Sequence, residues 1–147
     1  MVSEEPSLEP GIEAMIHGWF SCLEHRPPRA CGLDRFLAKP SFQLSLLEGT
    51  ARTETELHRW LSNLRSACSQ LHYRIDGVRV EPLEGSLYGV RFEVVRHALD
   101  RTGAPHTVRT ENIWLVRATS HAPPVIVQIE ERLLLSFPGT GPQIICY

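Results

Sequence analysis

The amino-acid sequence predicts an α+β fold in which amphipathic helices come first and one long antiparallel β-sheet follows. Two stripes of apolar residues with helical spacing lie before residue 69, and four runs with period-two alternation occupy residues 71–135. The turns that join those four runs are short. Parallel pairing would need crossovers of roughly a dozen residues or more, so the short turns favour an antiparallel meander.

The first predicted helix carries one wide apolar stripe. Its apolar residues recur at spacings of three and four, as one face of a helix requires. They are Ile12, Met15, Ile16, Trp19, Phe20 and Leu23. His17 lies off this stripe and is expected on the solvent side. Residues 1–10 are polar and contain proline, so we expect them to be flexible.

The middle of the sequence predicts a short helical turn at residues 33–38, a short strand at residues 41–47, and a second long helix. Thr53 and Glu56 have the spacing of a capping box and mark the start of that helix. Its apolar residues again have helical spacing, which predicts a buried stripe. They are Leu57, Trp60, Leu61, Leu64 and Cys68.

The four predicted strands alternate between apolar and polar residues. Gly77 interrupts the first strand and suggests a β-bulge, and Gly103 suits a positive φ in a hairpin loop. In the second strand Val90, Phe92 and Val94 share one face, and we expect Arg96 on the opposite face, one residue out of phase. The outer face of the sheet mixes apolar and charged residues, which leaves room for a partner subunit.

Length and composition set the class of protein. A chain of 147 residues fits a single domain, here residues 11–135, and the net charge of −2 gives no bulk attraction to nucleic acid. No apolar run is long enough to span a membrane and no secretion signal is visible, so a cytoplasmic protein with reduced thiols is expected. The four cysteines lack metal-site spacing, and no metal is expected.

Residues 136–147 are expected to dock on the body or on a neighbour because Ile144 and Ile145 are apolar.

This order of elements resembles the nuclear transport factor 2-like superfamily, and within it the SnoaL-like proteins. The resemblance covers residues 12–134 and is carried by Phe36-Leu37-Ala38-Lys39-Pro40-Ser41-Phe42, by Gly49 ahead of the capped helix, and by Asn112-x-Trp114. It implies a curved sheet wrapped around the first helix as a cone, with a pocket at the open end. It also implies a homodimer through the outer sheet face. Members of this superfamily include isomerases, dehydratases, polyketide cyclases, hydrolases and binding proteins.

The sequence departs from the ketosteroid-isomerase type in that superfamily. That type uses a carboxylate base just after the short helix, with a phenol and a protonated carboxylic acid as hydrogen-bond donors. Here Lys39-Pro40 replaces the acidic pair, and residues 41–47 contain no Asp or Glu. Trp19 stands near the position of the phenol, and Thr110 and Asn112 stand where an acid is expected. We therefore do not expect the isomerase mechanism in its usual form.

Two carboxylates remain as candidate general bases, Glu131 at the end of an apolar strand and Asp34 on the short helical turn. Burial would raise the pKa of Glu131, and a ligand carbonyl could accept hydrogen bonds from tyrosine or asparagine. The candidate ligand-binding residues are Trp19, Phe20, Trp60, Tyr73, Tyr88, Phe92, Thr110, Asn112 and Trp114. Alternatively, the tyrosines and Asn112 are core residues with satisfied hydrogen bonds, and the two carboxylates pair with arginines.

Two functions follow from these observations. The first is a non-catalytic protein whose hydrophobic pocket binds a small apolar molecule bearing a carbonyl group, or whose outer sheet face binds a partner. The second is an acid–base enzyme of the isomerase, dehydratase or cyclase type, with no cofactor, that uses Glu131 or Asp34. An enzyme predicts a pocket with one of these carboxylates close to Tyr73 or Asn112. A binding protein predicts a pocket lined almost wholly by aromatic side chains.

Overall fold

The computed structural model describes residues 7–24 and 32–138 and has the predicted α+β architecture. Its elements, in chain order, are α1 (Glu9–Glu24), a 3-10 turn (Asp34–Phe36), β1 (Gln43–Leu46), β2 (Gly49–Ala51), α2 (Glu54–Ala67), β3 (Cys68–Pro82), β4 (Leu87–Asp100), β5 (Pro105–Thr119) and β6 (Ala122–Pro138). The helix α1 begins at Glu9, inside the segment that the sequence predicted to be flexible. Among the described residues, neither helix is long and apolar enough to cross a membrane.

The six strands form one sheet in the order β2-β1-β6-β5-β4-β3. The strands β3 to β6 form the predicted antiparallel meander. The strand β1 joins β6 in parallel, with Leu44 opposite Ile129, and β2 is a short antiparallel strand that the sequence did not predict. The helix α1 contacts both β3 and β6, which are separated by two strands. The sheet therefore wraps around α1 as a cone.

The helix α1 fills the inside of this cone with the six residues of its predicted stripe, all of which are buried. Trp19 lies 6.0 Å, centroid to centroid, from the indole of Trp114, and Phe20 lies 6.1 Å from Phe92. Edge-on aromatic contacts of this kind stabilise a core beyond the area they bury. His17 is exposed, as the sequence predicted.

The helix α2 begins with the predicted cap. Thr53 Oγ1 accepts a hydrogen bond from Glu56 N at 3.1 Å, and Glu56 Oε1 accepts one from Arg52 N at 2.7 Å. The first contact satisfies a backbone donor that a helix leaves free at its start, and the second holds the residue before the cap. The buried face of α2 contains Leu57, Trp60, Leu61 and Leu64 as predicted, together with Arg65.

Cys68 is the first residue of β3, and its side chain is fully buried, as predicted for a small core residue. It is disulfide-bonded, whereas Cys22 is free. The expectation of reduced thiols is therefore wrong at Cys68. Disulfides are typical of oxidising compartments, so this bond gives no support to the predicted cytoplasmic location.

The glycines that break the strand pattern have the predicted roles. Gly77 has a φ of 70° and lies where the β3–β4 register shifts, and Gly103 has a φ of 87° in the β4–β5 turn. Residues 136–138, the start of the predicted tail, form the end of β6 instead, because His106 on β5 pairs with Pro138. The predicted docking of residues 139–147, with Ile144 and Ile145, lies outside the described residues.

The predicted orientation of Arg96 in β4 was wrong. The register between β4 and β5 is continuous, so the alternation runs unbroken from Val90 through Val94 to Arg96 and Ala98. All four side chains are buried on the inner face. Arg96 thus points into the cone, and the predicted shift of phase before it does not occur.

Candidate functional site

A small cavity lies inside the cone, between the two helices and the inner face of the sheet. The residues that line it are Trp19, Phe20, Leu23, Leu46, Leu47, Trp60, Tyr73, Val94, Arg96, Val108, Thr110 and Glu131. The void measures about 20 Å³, which is room for about one water molecule. A ligand of organic size therefore requires the lining side chains to move apart.

Glu131 is the carboxylic acid in this wall. The parallel pairing of β1 with β6 brings Leu47 beside it, and Glu131 Oε1 accepts a hydrogen bond from Leu47 N at 3.1 Å. Burial, followed by the nearby charge of Glu48, raises the pKa of Glu131 to about 7, while Arg96 and the Leu47 N–H oppose the rise. A carboxyl group with a pKa near the working pH can both accept and release a proton.

Arg96 and Glu48 form a buried ion pair next to Glu131. Arg96 Nη1 lies 2.9 Å from Glu48 Oε2, and the two side chains are 8% and 6% exposed. Glu48 Oε1 accepts a hydrogen bond from the indole Nε1 of Trp60 at 2.8 Å. Both carboxylate oxygens of Glu48 thus have partners, as a buried charge requires.

Tyr73 contributes a phenol to the same wall. Burial raises its pKa well above the usual range, although the adjacent Arg96 guanidinium opposes this effect. The phenol therefore stays protonated and can donate a hydrogen bond. The phenol hydrogen-bonds with the Arg96 side chain. Tyr73 N donates to Glu24 Oε2 at 2.7 Å, and the ring packs against Phe20 with a centroid distance of 5.0 Å.

The structure brings Glu131 together with five of the nine candidate ligand-binding residues, and these five lie on four different elements. They are Trp19, Phe20, Trp60, Tyr73 and Thr110. Phe92 and Trp114 are instead buried in the core beneath α1, with their ring centroids 5.2 Å apart. Tyr88 is half-buried near the start of β4 and packs against the same core.

Asn112 is fully buried and lies outside the cavity wall. Its Nδ2 donates to Thr110 Oγ1 at 3.0 Å, and its Oδ1 accepts from the Trp114 indole at 3.1 Å. These contacts match the alternative in which Asn112 is a core residue with satisfied hydrogen bonds.

Asp34, the second candidate base, also lies outside the cavity wall. It is on the 3-10 turn, and its Oδ1 lies 3.6 Å from His58 Nε2 at the start of α2. The structure does not bring Asp34 and Glu131 into one site. Within the described residues, no three His, Cys, Asp or Glu side chains come together as a possible metal site.

A larger cleft on the surface adjoins the cavity. It measures about 410 Å³ and is lined by Glu48, Gly49, Thr50, Glu56, Arg59, Trp60 and Asn63. Trp60 lines both the cleft and the inner cavity. The indole of Trp60 therefore separates the space around Glu131 from a solvent-filled cleft.

Sequence reasoning missed two residues of this site, Glu48 and Arg96. For Arg96 a signal existed, because continued period-two counting from Val90 places it on the inner face. Glu48 follows two leucines and precedes Gly49, which is the composition of an exposed turn. Its burial depends on the packing of this turn against Trp60 on α2 and Arg96 on β4, which no local pattern reveals.

No protein-family model and no curated protein matches the sequence. Solved structures do match. A hexachlorocyclohexane dehydrochlorinase (LinA) Type2 superposes with a TM-score of 0.80 at 8% identity, covering 93% of this chain and 92% of that one. A putative scytalone dehydratase from Novosphingobium aromaticivorans gives a TM-score of 0.78 at 10% identity, covering 93% and 88%.

A third matching structure is named as a member of the nuclear transport factor 2-like superfamily. A nuclear transport factor 2 (NTF2-like) superfamily protein from Salmonella enterica gives a TM-score of 0.74 at 11% identity, covering 93% of this chain and 92% of that one. This chain therefore has the nuclear transport factor 2-like fold, as its sequence predicted. At such low identities the likeness establishes the fold alone.

Proposed function

We propose that the cone binds a small, largely apolar molecule bearing a carbonyl group, and that Glu131 takes a proton from it. The observation that carries this proposal is the position of Glu131, a carboxyl group with a pKa of about 7 in the wall of the cavity. One oxygen of Glu131 accepts a hydrogen bond from Leu47 N. In this proposal the other oxygen faces the ligand.

The neighbours of Glu131 suit the removal of a proton from the carbon next to a carbonyl. The charge that develops on the carbonyl oxygen needs a hydrogen-bond donor, and the protonated phenol of Tyr73 is one. The cation of Arg96 lies beside that phenol and adds to the stabilisation of negative charge. Isomerisation, dehydration and related eliminations share this step. Two of the structural matches are named for eliminations, of hydrogen chloride and of water.

Entry of the ligand requires the cavity to open. Ligand sites typically measure roughly 300–1,000 Å³, which is far more than the void in the cone and comparable to the adjoining cleft of about 410 Å³. Rotation of the Trp60 side chain would join the two spaces. We therefore place the body of the ligand toward the cleft and its reactive group beside Glu131.

Exchange of carbon-bound hydrogen for deuterium tests this proposal without a known substrate. The protein is incubated in D₂O with a panel of apolar ketones, such as cyclohexanone and 2-tetralone, and loss of the α-proton signal is followed by NMR. We expect exchange above the buffer rate, and a loss of about 10²-fold or more in Glu131→Gln, as for removal of a general base. Glu130→Gln, on the same strand with its carboxylate bonded to Arg132, is the control and should exchange normally. Equal exchange by wild type and Glu131→Gln would refute the proposal.

Binding without turnover is the second candidate function. Eight of the twelve described wall residues are apolar, including Trp19, Phe20 and Trp60, which suits a hydrophobic binding site. This candidate predicts that a ketone changes the tryptophan fluorescence of the protein while its α-protons exchange at the buffer rate. Glu131→Gln would then bind the ketone as wild type does.

We also propose that two copies associate through the outer face of the sheet. The residues of β6 opposite Arg109 and Thr107 are Leu135 and Phe137, which lie on that face and are 46% and 43% exposed. Exposed apolar groups of this size favour burial against a partner.

A further inference from the structure

Glu48 is fixed more firmly than its position in a short turn suggests. Its two oxygens engage two different elements, the indole of Trp60 on α2 and the guanidinium of Arg96 on β4. Its side chain is 6% exposed. We propose that Glu48 is a positioning residue that holds the Arg96 guanidinium on the side of the cavity away from Glu131, so that Glu131 stays free to accept a proton. This inference rests on the proposed function of Glu131.

The composition of the cavity makes such a residue necessary. Arg96 and Glu131 line the same small void, and a guanidinium can form a strong two-point pair with a carboxylate. Such a pair would hold Glu131 in its charged form and occupy the oxygen that a ligand needs. In the structure Arg96 Nη1 is instead 2.9 Å from Glu48 Oε2, and Glu131 is hydrogen-bonded by the backbone of Leu47.

Trp60 keeps Glu48 in this position. Its indole N–H binds Oε1, which leaves Oε2 directed at Arg96. Trp60 is itself 8% exposed and is held on the buried face of α2. Glu48 therefore links the buried face of α2 to the Arg96 guanidinium on β4.

Among the described residues, the charged groups that act on Glu131 are Glu48 and Arg96. Glu48 comes from the β1–β2 turn, Arg96 from β4, and the neutral phenol of Tyr73 from β3. The side chains that α1, α2 and β5 contribute to the described wall carry no titratable group: Trp19, Phe20, Leu23, Trp60, Val108 and Thr110.

Titration of Glu131 by NMR, with ¹³C-labelled glutamate in the full-length protein, tests the inference. Wild type should titrate near pH 7. The decisive variant is Glu48→Asp, which keeps the negative charge but is too short to reach both Trp60 and Arg96. If Glu48 positions Arg96, we expect the Glu131 midpoint to fall by about one pH unit or more, because the guanidinium moves toward Glu131. Glu93→Asp, whose parent carboxylate pairs with Arg109 on the outer face, is the control and should not change it.

The outcomes separate this inference from the proposed function. A midpoint near 7 in both wild type and Glu48→Asp would overturn the positioning role while leaving Glu131 as a candidate base. A wild-type midpoint near the ordinary value of 4.5 would overturn both. If Glu48→Asp does not fold, Glu48→Gln keeps the length and an oxygen for the Trp60 indole but loses the charge that holds Arg96. Because the charge of Glu48 itself raises the pKa of Glu131, the effect of Arg96 is isolated with Arg96→Met, which should raise the midpoint more in the Glu48→Gln background than in the wild type. An equal rise in both backgrounds would overturn the inference.

Discussion

At the scale of single residues, Glu131 links the stability of the fold to pH. Its pKa is about 7 in the folded protein, against an ordinary value of 4.5. Between these values the folded protein binds a proton that the unfolded chain does not bind. The stabilisation from this proton is complete below pH 4.5 and is lost as the pH rises toward 7. Above pH 7 the fold therefore contains a carboxylate that it disfavours.

Replacement of Glu131 by Gln removes this penalty. The amide oxygen can still accept the hydrogen bond from Leu47 N. We expect Glu131→Gln to raise the free energy of unfolding at pH 8 by up to about 3 kcal/mol, and to change it little at pH 4, where wild-type Glu131 is also neutral. Urea unfolding at the two pH values, followed by fluorescence, measures both quantities. An equal effect at pH 4 and pH 8 would contradict the assigned ionisation, and Glu130→Gln provides the surface control.

At the scale of elements, the β4–β5 hairpin depends on one carboxylate in its turn. Asp100 Oδ1 accepts hydrogen bonds from Thr102 N at 2.8 Å, Thr102 Oγ1 at 2.6 Å and Ala104 N at 3.0 Å. Asp100 Oδ2 lies 3.0 Å from His106 Nε2. These contacts, with the Thr102 hydroxyl first, hold the pKa of Asp100 well below its usual range. The charged form of Asp100 therefore stabilises the turn.

Loss of this carboxylate should weaken the hairpin in a pH-dependent way. Because the pKa of Asp100 is lowered in the folded protein, its charged form stabilises the fold fully at pH values above the ordinary pKa of 3.8. This stabilisation is lost as the pH falls through the lowered pKa. We expect Asp100→Ala to lower Tm at pH 6 and to lower it less at pH 2. Thermal unfolding by circular dichroism measures this difference. Asp76→Ala, at an exposed position on β3, should have a smaller effect at pH 6.

At the scale of the whole molecule, the exposed apolar end of β6 predicts self-association. We expect the wild-type protein to be a dimer by light scattering after size exclusion, and the double variant Leu135→Lys/Phe137→Lys to be a monomer, because two charges would have to be buried in the contact. Leu83→Lys is a matched control, since Leu83 is 47% exposed in the turn between β3 and β4. If the double variant is still a dimer, the contact lies elsewhere on the protein. If the wild-type protein is a monomer, the proposed dimer is excluded.

The sequence predicted the parts of this fold that repeat with a short period. The buried residues of α1, the cap at Thr53, the bulge at Gly77 and the four-strand meander are all governed by neighbours a few positions apart. The strand β2 escaped prediction because it has only three residues, begins with a glycine and has no alternation to detect. Glu131 was singled out for a local reason, its place at the end of an apolar strand.

The remainder of the candidate site arises from contacts between distant elements. Glu48 is buried because α2 and β4 meet over its turn, and such contacts leave no periodic trace in the sequence. Asn112 could be placed on the inner face from its alternation. Whether it faced the cavity or the core depended on the packing of Thr110 and Trp114 around it.

The parallel pairing of β1 with β6 has a consequence for the order in which the protein forms during synthesis. Gln43 pairs with Gln128, and the hydrogen bond between Leu47 N and Glu131 joins residues 84 positions apart. Contacts this distant form late because a long loop must close first. On the ribosome the side of β1 that pairs with β6 must wait until residues 128–130 have been made, whereas its partner β2 follows within a few residues. A chain interrupted before residue 131 leaves the ribosome with that side of β1 unpaired and without its candidate base.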